Sequence, residues 1–319
     1  MSESQNPKKP YLKPWLSVDD QVNKLASRGL IVEDEEDAKA FLRHVGYYRF
    51  AGYLLAFEVS RHQYVKDTTF AHIKAAYEFD ARLRDLFREA IELVEVDLCS
   101  TVAYSFGKKY GAFGHLEKDN FHQQFGNFHG EPEKVFHPEW LERLQKEAKR
   151  SREIFAQHFR TRHTEFPDLP IWSATELMTF GQMSRMIRAL KRVDRKQVAD
   201  LYGIPERVLR SLVLHLTYVR NCCAHNLRLW DKKWAVQPEL PKHPDWQSPK
   251  LETKKRVFAS VLLIKQLLDS CTAIEPAVES WRDRVTALLR QPPNLKNANT
   301  KLGLPQDWES HPVWTQGNE

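Results

Sequence analysis

The feature that most constrains the fold is a long run of apolar side chains between positions 70 and 106. They recur at steps of three and four residues and comprise Ile73, Tyr77, Leu83, Leu86, Phe87, Ala90, Ile91, Val94, Leu98 and Val102. This spacing places them on one face of a helix, whereas a half-buried strand would need strict alternation. Charged residues of both signs occupy the positions between them. The sequence therefore predicts a long amphipathic helix that buries its apolar face against other helices.

No part of the chain shows the alternation of β-branched residues that predicts a strand longer than a few positions. We therefore expect an all-α fold, a helical bundle with an N-terminal helical annex. Composition and turn residues suggest these divisions: a disordered arm over 1–14, the annex over 15–69, a helical domain over 70–290 with an inserted loop at 107–138, and an irregular tail over 291–319.

Two local signals are expected to set the ends of helices. Gly107 follows the long periodic stretch and predicts its end, because glycine is the residue most often found just beyond a helix. Ser173 stands three residues before Glu176, the spacing of a capping box, and predicts the start of another helix. The proline-containing tail beyond residue 290 is expected to lie on the surface.

Charge and cysteine content narrow the class of protein without fixing its function. Lysine and arginine total 48 against 42 acidic residues, a mildly basic balance that permits a nucleic-acid partner without requiring one. The four cysteines form no CxxC pair and suggest reduced thiols. The N-terminus is polar, and no apolar run approaches the roughly 18 residues of a membrane helix. We expect a cytoplasmic protein with no membrane partner.

Four histidines in or beside the loop raise the question of a metal: His115, His122, His129 and His137. A zinc site would need carboxylates or cysteines at ligand spacing, as in HExxH, and none is present. We therefore expect no metal. The glycine-rich phosphate loop of a nucleotide enzyme is also missing, and we expect no cofactor. A solvated loop, with or without RNA contact, is the default interpretation.

The segment 218–226 reads Tyr-Val-Arg-Asn-Cys-Cys-Ala-His-Asn and follows an apolar helical run at 208–216. Arg220 and His225 are therefore expected to lie in a buried region, which is unusual for an arginine without a partner. On a regular helix the two side chains point about 140° apart. A group bound by both must lie over the helix edge, or a second copy of the helix must complete the site.

An arginine beside a histidine suits RNA cleavage without a metal. The imidazole, whose pKa lies near neutrality, can move the proton of a 2′-hydroxyl or of the leaving oxygen. The guanidinium can stabilise the charged phosphorane. Residue types alone also fit a structural pair, with Arg220 and His225 capping the bundle.

Two other chemistries are compatible with this region. Cys222 and Cys223 near His225 suggest a thiol nucleophile, although neighbouring helical residues point in different directions and inert buried thiols fit better. Residues 197–214 can be read as a helix-turn-helix, but the second helix is apolar where a recognition helix must be polar.

The motif at 220–225 resembles the Arg-Asn-x-x-x-His form of the ribonuclease motif of the HEPN superfamily. Over roughly 13–270, the chain resembles the Abi-like (AbiD/AbiF) family of bacterial abortive-infection proteins. The segments that carry this resemblance include Gly-Tyr-Tyr-Arg-Phe-Ala-Gly-Tyr at 46–53, Phe-Asp at 79–80, Pro-Ile-Trp at 170–172, Thr-Phe-Gly at 179–181 and Arg-Leu-Trp at 228–230.

The resemblance implies a HEPN-type bundle and a phage-defence role directed at RNA, either as an endoribonuclease or as a non-catalytic RNA-binding module. Arg220 and His225 become the expected catalytic residues, and the pairs of two domains usually converge, so a homodimer is implied. A regulatory RNA or protein partner is also compatible with the family. A helical protein that senses a phage component by contact is a third alternative.

Five further residues are expected to assist. Asn221 is placed to hydrogen-bond Arg220 or a phosphate, and Glu95 to orient Arg220 through a bidentate pair, unless Glu95 is only a solvated side chain. Arg49, Arg82 and Arg228 are candidates for RNA contact.

The apolar residues next to the motif bear on the expected dimer. Leu227, Leu229 and Trp230 either line a seam between subunits or pack inside their own bundle.

Overall fold

A computed structural model describes residues 10, 12–122, 136–271 and 274–315. The predicted all-α fold is confirmed: helices account for almost all the regular structure of these residues. The described residues form two compact units, one drawn from the ranges 1–79 and 293–295 and the other from the ranges 80–292 and 296–319. The domain limits expected from the sequence stay predictions, and most of the expected arm, 1–9 and 11, lies outside the described residues.

The first unit contains three short helices and a strand pair. Its elements are α1 (Val18–Ala26), α2 (Glu35–Val45), α3 (Tyr47–Leu54), β1 (Glu58–Ser60), β2 (Gln63–Tyr64) and the start of α4 (Phe70–Tyr110). Aromatic rings form its core, with Phe50 stacked on Phe70 at 4.5 Å and Phe41 edge-on to both. The antiparallel pair β1–β2 was missed because its strands are too short to show alternation.

The second unit is a helical bundle built on the remainder of α4. Its other helices are α5 (Phe136–Arg150), α6 (Ile154–Arg162), α7 (Ile171–Ala174), α8 (Phe180–Ala189), α9 (Arg192–Asp200), α10 (Glu206–Ala224), α11 (Val257–Leu268), α12 (Glu275–Leu289), α13 (Ala298–Leu302) and α14 (Pro312–Thr315). α11 is apolar on nearly every face and is buried along almost its whole length, as such a helix must be. No helix of the described residues is both long and apolar enough to cross a membrane.

The position of α10 tests the interpretation of residues 197–214 as a helix-turn-helix. Its apolar side chains, including Val208, Leu212 and Leu216, are fully buried, and it packs against α8 and α9. A recognition helix must offer its outer face to a DNA groove. The helix-turn-helix interpretation is therefore wrong, since this helix lies in the core of the second unit.

Two predicted helix ends are wrong. α4 continues through Gly107 to Tyr110 and ends at Gly111, which has the left-handed φ of +79°. Gly107 instead provides space, because a Cβ there would lie 3.3 Å from Ile171. The capping box also lies further along the chain: the Thr179 hydroxyl accepts from the N–H of Gln182, and the Gln182 side chain accepts from the N–H of Thr179.

The tail expected to be irregular and superficial is partly helical and buried. It contains α13 and α14, and the side chains of Leu302, Trp308 and Trp314 are almost completely buried. Tryptophan and leucine bury enough apolar surface to hold a proline-containing segment against the bundle. Prolines indicated where the backbone turns, but they did not indicate whether the segment is exposed.

Candidate functional site

Arg220 and His225 lie at the exposed end of α10, not in a buried cluster as the sequence suggested. Arg220, Asn221 and His225 are exposed, whereas Val219 and Cys223 on the opposite side are fully buried. The helix is amphipathic in its last turns, so its polar face opens to solvent while its apolar face completes the core. The structure therefore presents both side chains of the motif to solvent.

The backbone after the motif forms a tight helix end that fixes His225. The N–H of Leu227 donates to the carbonyl of Cys222 at 2.8 Å, and the N–H of Asn226 donates to that of Cys223 at 3.0 Å. This pair of bonds is a Schellman motif, with His225 at the C-cap and Asn226 in the next position. Asn226 has a φ of +51°, a left-handed conformation that asparagine tolerates better than most residues.

A buried ion pair holds the segment that follows. Asp80 on α4 is fully buried and accepts hydrogen bonds from the backbone N–H groups of Leu229, at 3.0 Å, and Trp230, at 2.6 Å. Arg84, one turn later, donates to the same carboxylate at 2.5 Å. The sequence signal for this anchor was an aspartate on the apolar face of α4, and its role was missed. We call these four residues the Asp80 anchor.

A second ion cluster secures the chain just beyond the Asp80 anchor. Asp231 accepts from Arg256 at 3.0 Å and from Lys301 at 2.8 Å, and all three side chains are largely buried. Its φ of +55° turns the backbone sharply at this point. The loop that carries the end of the motif is therefore tied to the bundle on both sides of the turn.

Glu95 lies close to Arg220, although not as a bidentate pair. Half-burial raises the pKa of the Glu95 carboxyl, while the charge of Arg220 and a hydrogen bond from the N–H of Phe180 act in the opposite direction. Among the ion pairs of the described residues, all within 4.0 Å, Glu95 and Arg220 do not occur. Their interaction is longer-ranged, and Glu95 sits where α8 begins.

The three arginines considered for RNA contact are spread over the chain. Arg49 is an exposed residue of α3, in the first unit. Arg82 is exposed on α4, and Arg228 is half-exposed in the loop between Asn226 and the Asp80 anchor. Arg228 follows the motif directly in the chain and lies in the loop that the Asp80 anchor holds.

The cysteines of the motif face the core. Cys222 and Cys223 are buried, and burial raises the pKa of the Cys223 thiol to about 12. A thiol with so high a pKa supplies almost no thiolate near neutral pH, and the thiolate is the nucleophile. The interpretation of Cys223 as an inert buried thiol fits this geometry, whereas that of a nucleophile does not.

The apolar neighbours of the motif divide between core and surface. Leu229 and Trp230 are fully buried within their own unit, whereas Leu227 is 46% exposed. The seam considered for Leu229 and Trp230 is therefore wrong, because the Asp80 anchor draws their backbone into the bundle. Only Leu227 of these three offers apolar surface beside the motif.

Two of the loop histidines belong to the core rather than to a solvated loop. His115 and His137 are buried, and the Nε2 of His137 lies 2.9 Å from the His115 carbonyl oxygen, within hydrogen-bond distance. Both rings lie near Trp140. Within the described residues no three histidine, cysteine or acidic side chains converge as for a metal, and His129 lies outside those residues.

His215 was not predicted from the sequence to have any role, and the structure places it in the core as a buried residue of α10. Its Nδ1 lies 2.7 Å from the Val236 carbonyl and its Nε2 lies 2.8 Å from the Ser260 hydroxyl. Burial lowers the pKa of His215 to about 4. A neutral imidazole with both nitrogens engaged fixes α10 to its neighbours and is not available for proton transfer.

Fold and site together define a class of all-α proteins that present an arginine and a histidine at the exposed end of a core helix. Comparison with protein families matches residues 40–231 to the model described as Abi-like protein. This segment covers more than half of the chain and includes the motif and the Asp80 anchor, so the chain belongs to the Abi-like family. That membership supports a part in abortive infection, a form of defence against phage. No curated protein and no solved structure matches the chain.

Proposed function

We propose that this protein is an endoribonuclease of the HEPN type, within the AbiD/AbiF branch, that cuts RNA in phage defence and needs no metal. The observation that carries the proposal is the exposed pair Arg220 and His225 at the end of α10. Both side chains are free of the core, while the backbone that bears them is held by the helix end and the Asp80 anchor. Catalytic groups need this combination of access and fixed position.

The chemistry follows from the two side chains. His225 takes the proton of a 2′-hydroxyl, whose oxygen attacks the neighbouring phosphorus, and a protonated imidazole delivers a proton to the departing 5′-oxygen. Arg220 stabilises the additional negative charge on the phosphorane oxygens. The products are a 2′,3′-cyclic phosphate and a 5′-hydroxyl. No electron transfer is involved, and protons balance between base and acid.

Asn221 and Glu95 act as positioning residues in this proposal. Asn221 is exposed beside Arg220 and offers an amide to the phosphate or to the guanidinium. Glu95 attracts Arg220 over a moderate distance and limits the directions in which the guanidinium points. A carboxylate in direct contact would neutralise Arg220, so the longer separation leaves the arginine available for RNA.

We further propose that two chains combine their motifs around a two-fold axis. A single chain supplies one exposed histidine of the motif, whereas the reaction uses a base and an acid. An isologous interface brings the same patch of both subunits together. The exposed Leu227 beside the motif supplies apolar contact at such an interface.

RNA incubated with the purified protein in EDTA tests the proposal. Wild type should produce fragments that end in 2′,3′-cyclic phosphate, and Arg220→Ala or His225→Ala should lower the rate at least a hundred-fold, the range seen for lost acid–base and oxyanion groups. His243→Ala is the matched control, because His243 is an exposed histidine outside the motif. RNA that binds but is not cut by wild type would instead favour the non-catalytic module.

A further inference from the structure

A groove of about 460 Å³ lies between the last turns of α4 and the segment that begins with α7. Its α4 side includes Ala103, Tyr104, Gly107 and Lys108, and Trp172 and Glu176 line the opposite side. Sites for small ligands typically measure about 300–1,000 Å³. The groove is therefore large enough to take one flat heterocycle.

Two aromatic side chains face solvent at this groove. Tyr104 is 72% exposed and Trp172 is 54% exposed, which is high for residues that normally bury most of their surface. Trp172 is nevertheless held in place, since a Cβ at Gly107 would lie 3.6 and 3.7 Å from two carbons of its indole ring. Packing on the glycine backbone fixes this ring while much of it remains open.

Charged groups stand at both sides of the aromatic pair. Lys108 is exposed on α4 next to Gly107, and its ammonium group is a suitable contact for a phosphate. Glu176 is exposed on the opposite side, and its carboxylate can accept a hydrogen bond from the amino group of a base. A nucleotide carries a flat π-system, a phosphate and, in three of the four bases, an exocyclic amine, so it matches all three elements.

The groove is adjacent to the Arg220 site. Cys99 lies between them on α4, and the charges of both Glu95 and Glu176 act on its thiol. Glu95 in turn interacts with Arg220. Glu95 and Tyr104 lie roughly 14 Å apart along α4, because each helical residue adds 1.5 Å. A single strand that leaves the motif can therefore reach the groove within a few nucleotides.

We propose that this groove binds one unpaired base of a single-stranded RNA between Tyr104 and Trp172, with the adjoining phosphate on Lys108. The inference rests on the proposed function and adds where the substrate strand is held. Stacking accepts any base, so the groove contributes affinity for single strands and excludes a base that is paired in a duplex.

Fluorescence anisotropy with a labelled single-stranded oligoadenylate tests the groove, in the His225→Ala background so that the probe is not cut. Tyr104→Leu and Trp172→Leu should each weaken binding about ten-fold, since stacking is worth on the order of a factor of ten per base. Tyr104→Phe keeps the ring and should retain binding. Tyr48→Leu is the matched control, because Tyr48 is an exposed tyrosine of the first unit.

The outcomes distinguish failure of the groove proposal from failure of the proposed nuclease function. Unchanged affinity in both leucine variants, with wild type still cutting RNA, would overturn the groove and leave the proposed nuclease intact. Loss of a dimer in light scattering of the leucine variants would assign the groove to a second copy of the chain. Free adenosine monophosphate competing as strongly as the strand would make it a mononucleotide site. No RNA binding or cleavage by wild type would remove both proposals.

Discussion

At the scale of single residues, Asp80 stabilises several parts of the structure at once. Its carboxylate binds the backbone of Leu229 and Trp230 and balances the charge of Arg84, all in the buried interior. A charge in this position is costly to bury, and it is tolerated because it is hydrogen-bonded on several sides. Asp80 therefore determines whether the loop after the motif keeps its position.

Asp80→Asn should lower the free energy of unfolding by about 3–5 kcal/mol, the cost of breaking a buried pair by removing one charge. Urea denaturation followed by circular dichroism measures it. Asp85→Asn is the matched control: Asp85 pairs with Arg88 on the exposed face of the same helix, and such pairs are worth at most about 1 kcal/mol. Equal stability of the two variants would contradict the role given to the Asp80 anchor.

Three buried histidines make stability depend on pH. Burial lowers the pKa of His115, His215 and His311 to about 4 each, against about 6.5 in an unfolded chain. Between these values the unfolded state binds more protons, so the free energy of unfolding should fall as pH drops from 7 towards 4. Thermal unfolding across this range measures the slope, and a flat profile would contradict it.

The predicted loss of stability at low pH can be tested at a single buried histidine, His311. It is fully buried against the rings of Trp246 and Phe258, and neither ring nitrogen has a hydrogen-bond partner among the described residues. His311→Phe keeps an aromatic ring there and removes a titrating group. The variant should be at least as stable at pH 7 and show a shallower loss of stability on acidification. A slope identical to that of wild type would exclude His311 as a contributor.

At the scale of elements, the end of α10 determines where His225 lies. The helix stops one residue before His225, and the left-handed backbone of Asn226 sends the chain back towards the Asp80 anchor. Gly29 closes α1 with the same pair of backbone bonds, from Leu30 to Leu25 and from Gly29 to Ala26. Glycine at α1 and asparagine at α10 therefore provide the left-handed residue at the same kind of helix end.

Asn226→Val should be less stable than Asn226→Gly by about 1–2 kcal/mol or more, because a β-branched residue resists the left-handed conformation that glycine adopts freely. Calorimetry on the two variants measures the difference. Cleavage should follow the same order, since His225 precedes the turn. Valine that matched glycine in both assays would mean that the helix end does not fix the histidine.

At the scale of the whole molecule, the proposed dimer predicts dominant inactivation. His225→Ala should be inactive alone, and when it is co-expressed in excess with wild type it should hold wild-type chains in mixed dimers that keep one histidine where the reaction needs a base and an acid. Loss of cleavage beyond the simple dilution of wild type, together with a mass twice the 37.4 kDa of one chain, is the expected result. Active protein that scatters light as a single chain would contradict the composite site.

The sequence predicted the fold class because helical periodicity is a local property, and α4 displays it over many turns. It also placed Arg220 and His225 on one helix end. It did not predict that this helix end is exposed, because exposure depends on which neighbours cover each face. The role of Asp80 was missed for the same reason: its partners lie 149 and 150 positions away in the chain.

The 150 positions between Asp80 and Trp230 affect how soon during synthesis the candidate site can form. The loop carrying His225 cannot be held until residue 230 has been synthesised and has met Asp80, and closing so long a loop is entropically slow. At about 5–20 residues per second, ribosomal synthesis of the intervening chain takes roughly 8–30 s. Nascent chains should therefore stay inert towards the ribosome and the messenger that produce them. Asp80→Asn, which keeps every helix of the full chain but weakens this contact, should cleave RNA more slowly than wild type.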